Sequence, residues 1–112
     1  MSGRSVSIGT LATTTESAVY TVPARFNADI KTITLSNNNG AGQHVTIKWV
    51  NVATGVTHVL LDDKQMVAKE VFQLFDPLFL SAGDSIRVVA DSSTHIRVSL
   101  RVEEIYSPVV KN

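Results

Sequence analysis

Three histidines, two adjacent carboxylate pairs and a scatter of hydroxyls are the side chains in this 112-residue chain whose types could do chemistry. His44, His58 and His95 fall in three separate segments, and none has a second histidine or a carboxylate at a ligand spacing. A catalytic zinc needs about three converging protein ligands and one open position, so no metal centre is expected. Asp62-Asp63 could offer oxygen ligands to calcium, but Lys64 follows them and no EF-hand spacing surrounds them. Glu103-Glu104 could be a carboxylate pair for sugar hydrolysis. Neighbours on a strand point to opposite faces, however, so these two should diverge instead of flanking one bond. No Gly-x-Ser-x-Gly nucleophile turn occurs. Gly40 and Gly42 lack the lysine and hydroxyl of a phosphate loop. The chemistry-bearing residues thus predict no enzyme, no cofactor and no catalytic site.

Arg87, Arg97 and Arg101 take the outward phase of two strands expected to pair as a hairpin, which would make a basic strip. Asp91 and Glu103 share that phase and no aromatic interleaves for base stacking. A solvated or subunit-contacting face is therefore expected, without nucleic acid.

The elements that must position these residues are strands. From Thr94 to Glu103 the chain alternates Ile96, Val98, Leu100 and Val102 with Arg97, Ser99, Arg101 and Glu103, a period of two that fits a sheet dry on one face. Ala18 to Val22, closed by Pro23, and Ala28 to Asn37 have the same composition, with Ile33 and Leu35 in one phase and Ile30 in the other. Asn37 to Gly42 is an exposed loop. Val45, Ile47 and Trp49 then alternate with Thr46, Lys48 and Val50. Ala53-Thr54-Gly55 is a hairpin turn into Val56 to Leu61. Asp62 to Glu70 is expected to be a loop with at most one helical turn. Val71 to Phe75, Leu78 to Leu80 and Ile86 to Ala90 complete the set, separated by Asp76-Pro77 and Ser81 to Ser85.

This pattern predicts an all-β chain: a single antiparallel β-sandwich, jelly-roll or Ig-like, of about seven or eight strands. The expected division is an N-terminal arm (1–17), a sandwich domain (18–105) and a C-terminal tail (106–112). The predicted inner residues are Tyr20, Val22, Ile33, Leu35, Val45, Ile47, Trp49, Val59, Leu61, Phe72, Leu74, Leu80, Ile86, Val88, Ile96, Val98, Leu100 and Val102. The two arms have too little apolar content for a core, and are expected to add to a neighbour's open sheet edge. Phe26, Met66, Phe75, Phe79 and Tyr106 lie at strand ends or loops outside the main inward phase. They are the predicted interface, since aromatics and methionine are enriched in the centres of protein contacts.

Composition bounds the rest. Hydrophobic residues make up 44% and charged residues 18%, and no apolar run reaches the roughly 20 residues of a membrane helix. A soluble domain with no membrane partner is expected. The start Met-Ser-Gly-Arg-Ser-Val-Ser-Ile-Gly lacks the apolar core of a secretory signal, which predicts use in the cytoplasm where the chain is made. There are no cysteines, so stability must come from packing. Ten basic residues balance ten acidic ones, leaving little self-repulsion to oppose a homo-oligomer.

Three blocks carry a resemblance: Tyr20-Thr-Val-Pro-Ala24, Ala28-Asp-Ile-Lys-Thr-Ile-Thr-Leu-Ser-Asn37 and Pro77-Leu-Phe-Leu-Ser-Ala-Gly-Asp-Ser-Ile-Arg87. Their order resembles small β-sandwich virion proteins of tailed bacteriophages, over roughly residues 18 to 105. The resemblance implies a non-enzymatic part of a virion, assembled in the host cytoplasm and present in many copies. Its partners would be the major capsid protein or neck and tail subunits, and its role capsid decoration or cement. A neck or tail accessory protein is the alternative. A carbohydrate-binding module is a further one, using Asn37 to Gln43, His58 and Trp49, and it requires an exposed Trp49.

Overall fold

The computed structural model describes residues 3–12, 14–38, 42–74, 78–91 and 95–106. Nine strands and no helix appear among them: β1 (Gly3–Leu11), β2 (Ser17–Thr21), β3 (Phe26–Asn37), β4 (Gln43–Asn51), β5 (Val56–Met66), β6 (Val71–Leu74), β7 (Leu78–Leu80), β8 (Ser85–Ala90) and β9 (Ile96–Tyr106). They form two antiparallel sheets. The first runs β1-β9-β3-β6, with β7 beside β6 on the same flank of β3, and the second runs β2-β8-β4-β5.

The pairing is nested: β4 with β5, β3 with β6 and β7, β2 with β8 and β1 with β9. A chain paired this way is one long hairpin with its tip at the β4–β5 turn, rolled so that successive pairs fall alternately in the two sheets. That is a jelly roll. Each strand then presents one row to the space between the sheets, and the core is the sum of those rows: Ile30, Leu35, Ile47, Leu80, Ile86, Leu100 and their neighbours are all but inaccessible.

Most of the predicted inner residues are buried or pack against the core. Val59 is the exception, at 53% exposed. The β4–β5 register slips twice, between Val45 and Ile47 and between Ile47 and Lys48, so extra residues on β5 break the alternation and turn Val59 outward beside Lys48. The same device explains Ile30. A register shift between Ile30 and Thr32 places Lys31 at a bulge, so Ile30 joins Ile33 and Leu35 inside. Residues 62 to 66, expected in a loop, continue β5, and only Val67 to Glu70 turns, with Lys69 at φ 65°. Residues 3 to 11, expected as part of a free arm, lie in register along β9 of their own chain. The arginine strip does not form, because β8 and β9 belong to different sheets: Arg97 and Arg101 face out from the first, while Arg87 lies on the second, held by Glu16 at 2.9 Å.

Two glycines test how local backbone sets this geometry. Gly83 has φ 89°, and a Cβ there would meet Val52 Cγ2 at 3.1 Å; at Gly9 a Cβ would meet nothing within 4 Å. Gly83→Ala should lose about 1–2 kcal/mol, the cost of left-handed backbone for a residue with a Cβ, whereas Gly9→Ala should be neutral or slightly stabilising. Urea denaturation of both variants gives the comparison directly.

Candidate assembly interface

The turns β2–β3, β4–β5 and β7–β8 all open at one end of the sandwich, where β1 also begins and β9 finishes. This basal end is built on two buried carboxylates. Asp84, 2% exposed, accepts from the backbone amides of Val52 (3.0 Å) and Ser81 (3.1 Å) and from Trp49 Nε1 (3.3 Å). Around it the Val22 amide donates to Asp84 O and the Gly83 amide to Val22 O. One side chain therefore fastens the β4–β5 turn and the β7–β8 turn to each other, and its backbone ties both to β2. This gives a physical reason for an aspartate after Ala-Gly in the Leu80 to Arg87 block.

Glu104 is the second carboxylate, 2% exposed, on the inward phase of β9 beyond Val102. It accepts from Tyr20 Oη on β2 (2.5 Å) and from Arg4 Nε on β1 (2.6 Å). The Arg4 guanidinium also lies 4.6 Å over the Phe26 ring, and Phe26 meets Tyr106 edge-to-face at 5.5 Å. Glu103, one residue away, faces solvent and Lys31, so the two carboxylates diverge as strand geometry requires. The alternation that buries Val102 also put Glu104 inside, which was the available signal for its burial.

Five of the eight exposed large apolar side chains among the described residues rim this end, Val52, Val56, Phe79, Ile105 and Tyr106, with Phe79 the most exposed of the five at 59%; Val59 lies along β5, and Val67 and Val71 flank the β5–β6 turn at the opposite end. Of the predicted interface residues, Phe79 and Tyr106 lie on this rim and Phe26 is half-buried beneath it. Met66 does not: it is fully buried core, because β5 extends to it, and it is removed from the contact surface. Phe75 lies outside the described residues. Val52, Val56 and Ile105 are rim residues that sequence reasoning missed; Val56 was read as an ordinary strand residue, and Ile105 is exposed only because the next inward position is Glu104.

Elsewhere, two of the three histidines have partners. His44 pairs with Asp91 at 2.9 Å, and the His58 ring stacks on Trp49 at 4.6 Å. Trp49 is half-buried, with its N–H turned to Asp84 and a face against His58, which is not a free sugar platform. No group of three His, Asp or Glu side chains able to hold a metal converges among the described residues. Two polar depressions, about 230 Å³ between Ser5, Ser7, Lys31 and Arg101 and about 360 Å³ between Thr14, His44, Thr46, Asp63 and Asp91, fall below and at the lower end of the roughly 300–1,000 Å³ range of ligand pockets.

No family model matches this chain, and no curated protein matches its sequence. Solved structures do share its fold. It is similar to a protein of Bacillus endospore appendages, described as "a novel family of disulfide-linked pili", with 15% identity and a TM-score of 0.57 over 96% of this chain and 88% of that one. A chain of the T13 IBDV viral particle superposes with a TM-score of 0.52 and 7% identity over 95% of this chain, which spans 32% of that one. A pentameric capsid protein isolated from metagenomic phage sequences gives 16% identity and a TM-score of 0.47 over 91% and 63%. What the first two share with this chain is its fold.

Two polar contacts, Tyr20 with Glu104 and Glu16 with Lys48 and Arg87, predict the pH limits of the fold. Burial, and then the hydrogen bond to Glu104, hold the Tyr20 hydroxyl well above the ordinary tyrosine value of 10.0. A raised folded-state pKa stabilises fully below pH 10, and that contribution falls away as pH climbs toward the folded value. Glu16 is the reverse case: its hydrogen bonds to Lys48 first, and to Arg87, hold it below 4.5. Its contribution is present above pH 4.5 and is lost as pH falls through the lowered value. Thermal unfolding from pH 3 to 11 should show both limbs, with Tyr20→Phe flattening the alkaline one and Glu16→Gln the acid one.

Proposed function

We propose that this chain is a non-enzymatic structural subunit of a virus particle, a decoration or cement protein that docks its basal end across joints between shell subunits. The observation that carries this reading is the rim of Val52, Val56, Phe79, Ile105 and Tyr106 around an end held rigid by Asp84 and Glu104. Exposed apolar side chains concentrated at one end of a domain mark protein contacts. A preorganised end also loses less entropy on docking than a flexible loop. Each contact can be weak, because many identical copies on one particle add through multivalency.

The likeness in fold to a chain of a viral particle supports a shell component. The endospore-appendage protein covers nearly the whole of both chains and favours a second reading, a self-assembling filament or tail subunit. The present chain has no cysteine, so a disulfide-linked polymer is not open to it and any filament would be held by packing alone. Copy number separates the two: a decoration protein follows the shell lattice, whereas a neck or tail ring follows the low-order symmetry of a closed assembly.

Particles made without this protein should be less heat-resistant and show missing surface density; intact, equally resistant heads with an unchanged surface would remove the cement role. Phe79→Lys should weaken attachment to such particles by about thirtyfold, as truncation of a central contact residue does. Its urea midpoint should not change, since the side chain is solvent-exposed. Quantitative pull-down on purified particles measures the first effect and a denaturation curve the second.

A further inference from the structure

We infer that β1 is an exchangeable strand, which leaves its own β9 and pairs with β9 of a second copy of this chain; this rests on the assembly reading above and names how copies join. The receiving site is already seen occupied. β9 accepts the sequence Gly3–Leu11 in an unbroken antiparallel register from Gly3↔Ile105 to Leu11↔Arg97. Every other copy carries the same strand.

Two observations mark β1 as the strand to leave, and a third fixes where it goes. It is an outer strand that touches one neighbour, β9, and its Val6 and Ile8 are only partly buried, whereas the β9 row beneath them is shielded almost completely. Its link to β2 is short, five residues from Ala12 to Glu16, and it crosses from one sheet to the other. That link is fastened at both ends: Ala12 is fully buried with its amide donating to Ile96 O, and Glu16 is held by Lys48 and Arg87, each at 2.9 Å. A short hinge favours exchange, because the linker can straighten when the strand is handed to a neighbour; the Ala12 amide then meets Ile96 of the receiving copy, and Glu16 keeps Lys48 and Arg87 of its own.

The third observation fixes the partner. Glu104 is buried and needs a cation on the β1 side, and Arg4 stands directly opposite it in the register. If β1 departs, Glu104 keeps Tyr20 but loses its ion pair, and a strand presenting a cation at that position restores it. A second copy of β1 does so. Exchange conserves every β1–β9 contact, so it is nearly neutral by itself. The two copies meet at the end that holds the β1–β2 links, opposite the basal rim, and the new contacts there decide the balance; because two chains must associate, exchange is concentration-dependent.

The absence of native cysteine allows a clean test. Gly9 and Ser99 face each other on the outer surface of the β1–β9 pair, and a side chain at Gly9 has open space. Full-length Gly9→Cys and a size-tagged Ser99→Cys chain are refolded together, concentrated to assembly conditions and oxidised. A disulfide-linked heterodimer is expected at about tenfold or more over a control mixture of Gly9→Cys with Thr57→Cys on β5, because paired strands hold the thiols at millimolar effective concentration. The double variant Gly9→Cys/Ser99→Cys, oxidised as a dilute monomer, should fail to assemble and recover on reduction. Heterodimer no higher than the control, or an oxidised double variant that assembles like the wild type, overturns the exchange. If the wild type meanwhile assembles, the structural-subunit reading stands. A wild-type chain that stays monomeric with and without shells overturns both.

Discussion

The inward row of β9, Ile96, Val98, Leu100 and Val102, ending in the carboxylate of Glu104, is the constraint to which the other strands conform. β9 is flanked by β1 and β3, so its row forms the middle of the first sheet's dry face. A carboxylate at the end of such a row is costly unless its lone pairs are filled. Its partners come from β1 and from β2 in the opposite sheet, so satisfying one charge aligns three strands and sets the two sheets against each other. Buried ion pairs are poor sources of net stability, since desolvation offsets much of the attraction. What this one supplies is register: a one-residue slip of β1 would turn Arg4 to the outside and Ser5 toward Glu104.

Asp84 plays the same part in the turns that Glu104 plays in the strands. Its oxygens are shared among two backbone amides and an indole, which leaves the β4–β5 and β7–β8 turns little freedom to move independently. Turns are ordinarily the mobile part of a sandwich. Here they form a stiff platform, and the apolar rim stands on it. Rigidity at that end and apolar exposure at that end belong together, because a surface already in its docked conformation has little ordering entropy left to lose.

Much of the architecture was legible wherever alternation ran undisturbed. β9, β8 and most of β4 read directly, and the β4–β5 hairpin was visible from Gly55, which has φ 73°. Legibility failed at bulges. Each inserts a residue that inverts the phase downstream, which misplaced Val59 and Ile30 and leaves no mark in composition. It also failed for pairing between distant segments. Adjacent β8 and β9 look like a hairpin in sequence, yet they belong to different sheets, while Arg4 meets Glu104 across 100 positions. At the candidate interface the aromatics Phe79 and Tyr106 were legible as strand-end residues. Met66 was not, because the charged stretch Asp62 to Lys64 reads as loop although it runs along a sheet edge.

That charged stretch bears on how the molecule can meet others. An open sheet edge invites pairing unless it is charged, bent or short. β5 carries Asp62, Asp63 and Lys64, with Asp63 at φ 49° in an irregular stretch; β2 is five residues long with a shift between Ala18 and Tyr20; β6 and β7 have four and three residues. Three of the four flanks are thus poor templates for an added strand. β1 differs, being nine residues long, regular throughout and charged within its described side chains only at Arg4. A sandwich that discourages edge pairing on the other flanks leaves the β1–β9 pair as its most regular outer ladder, and Arg4, which reaches both Phe26 and Glu104, joins that ladder to the basal rim.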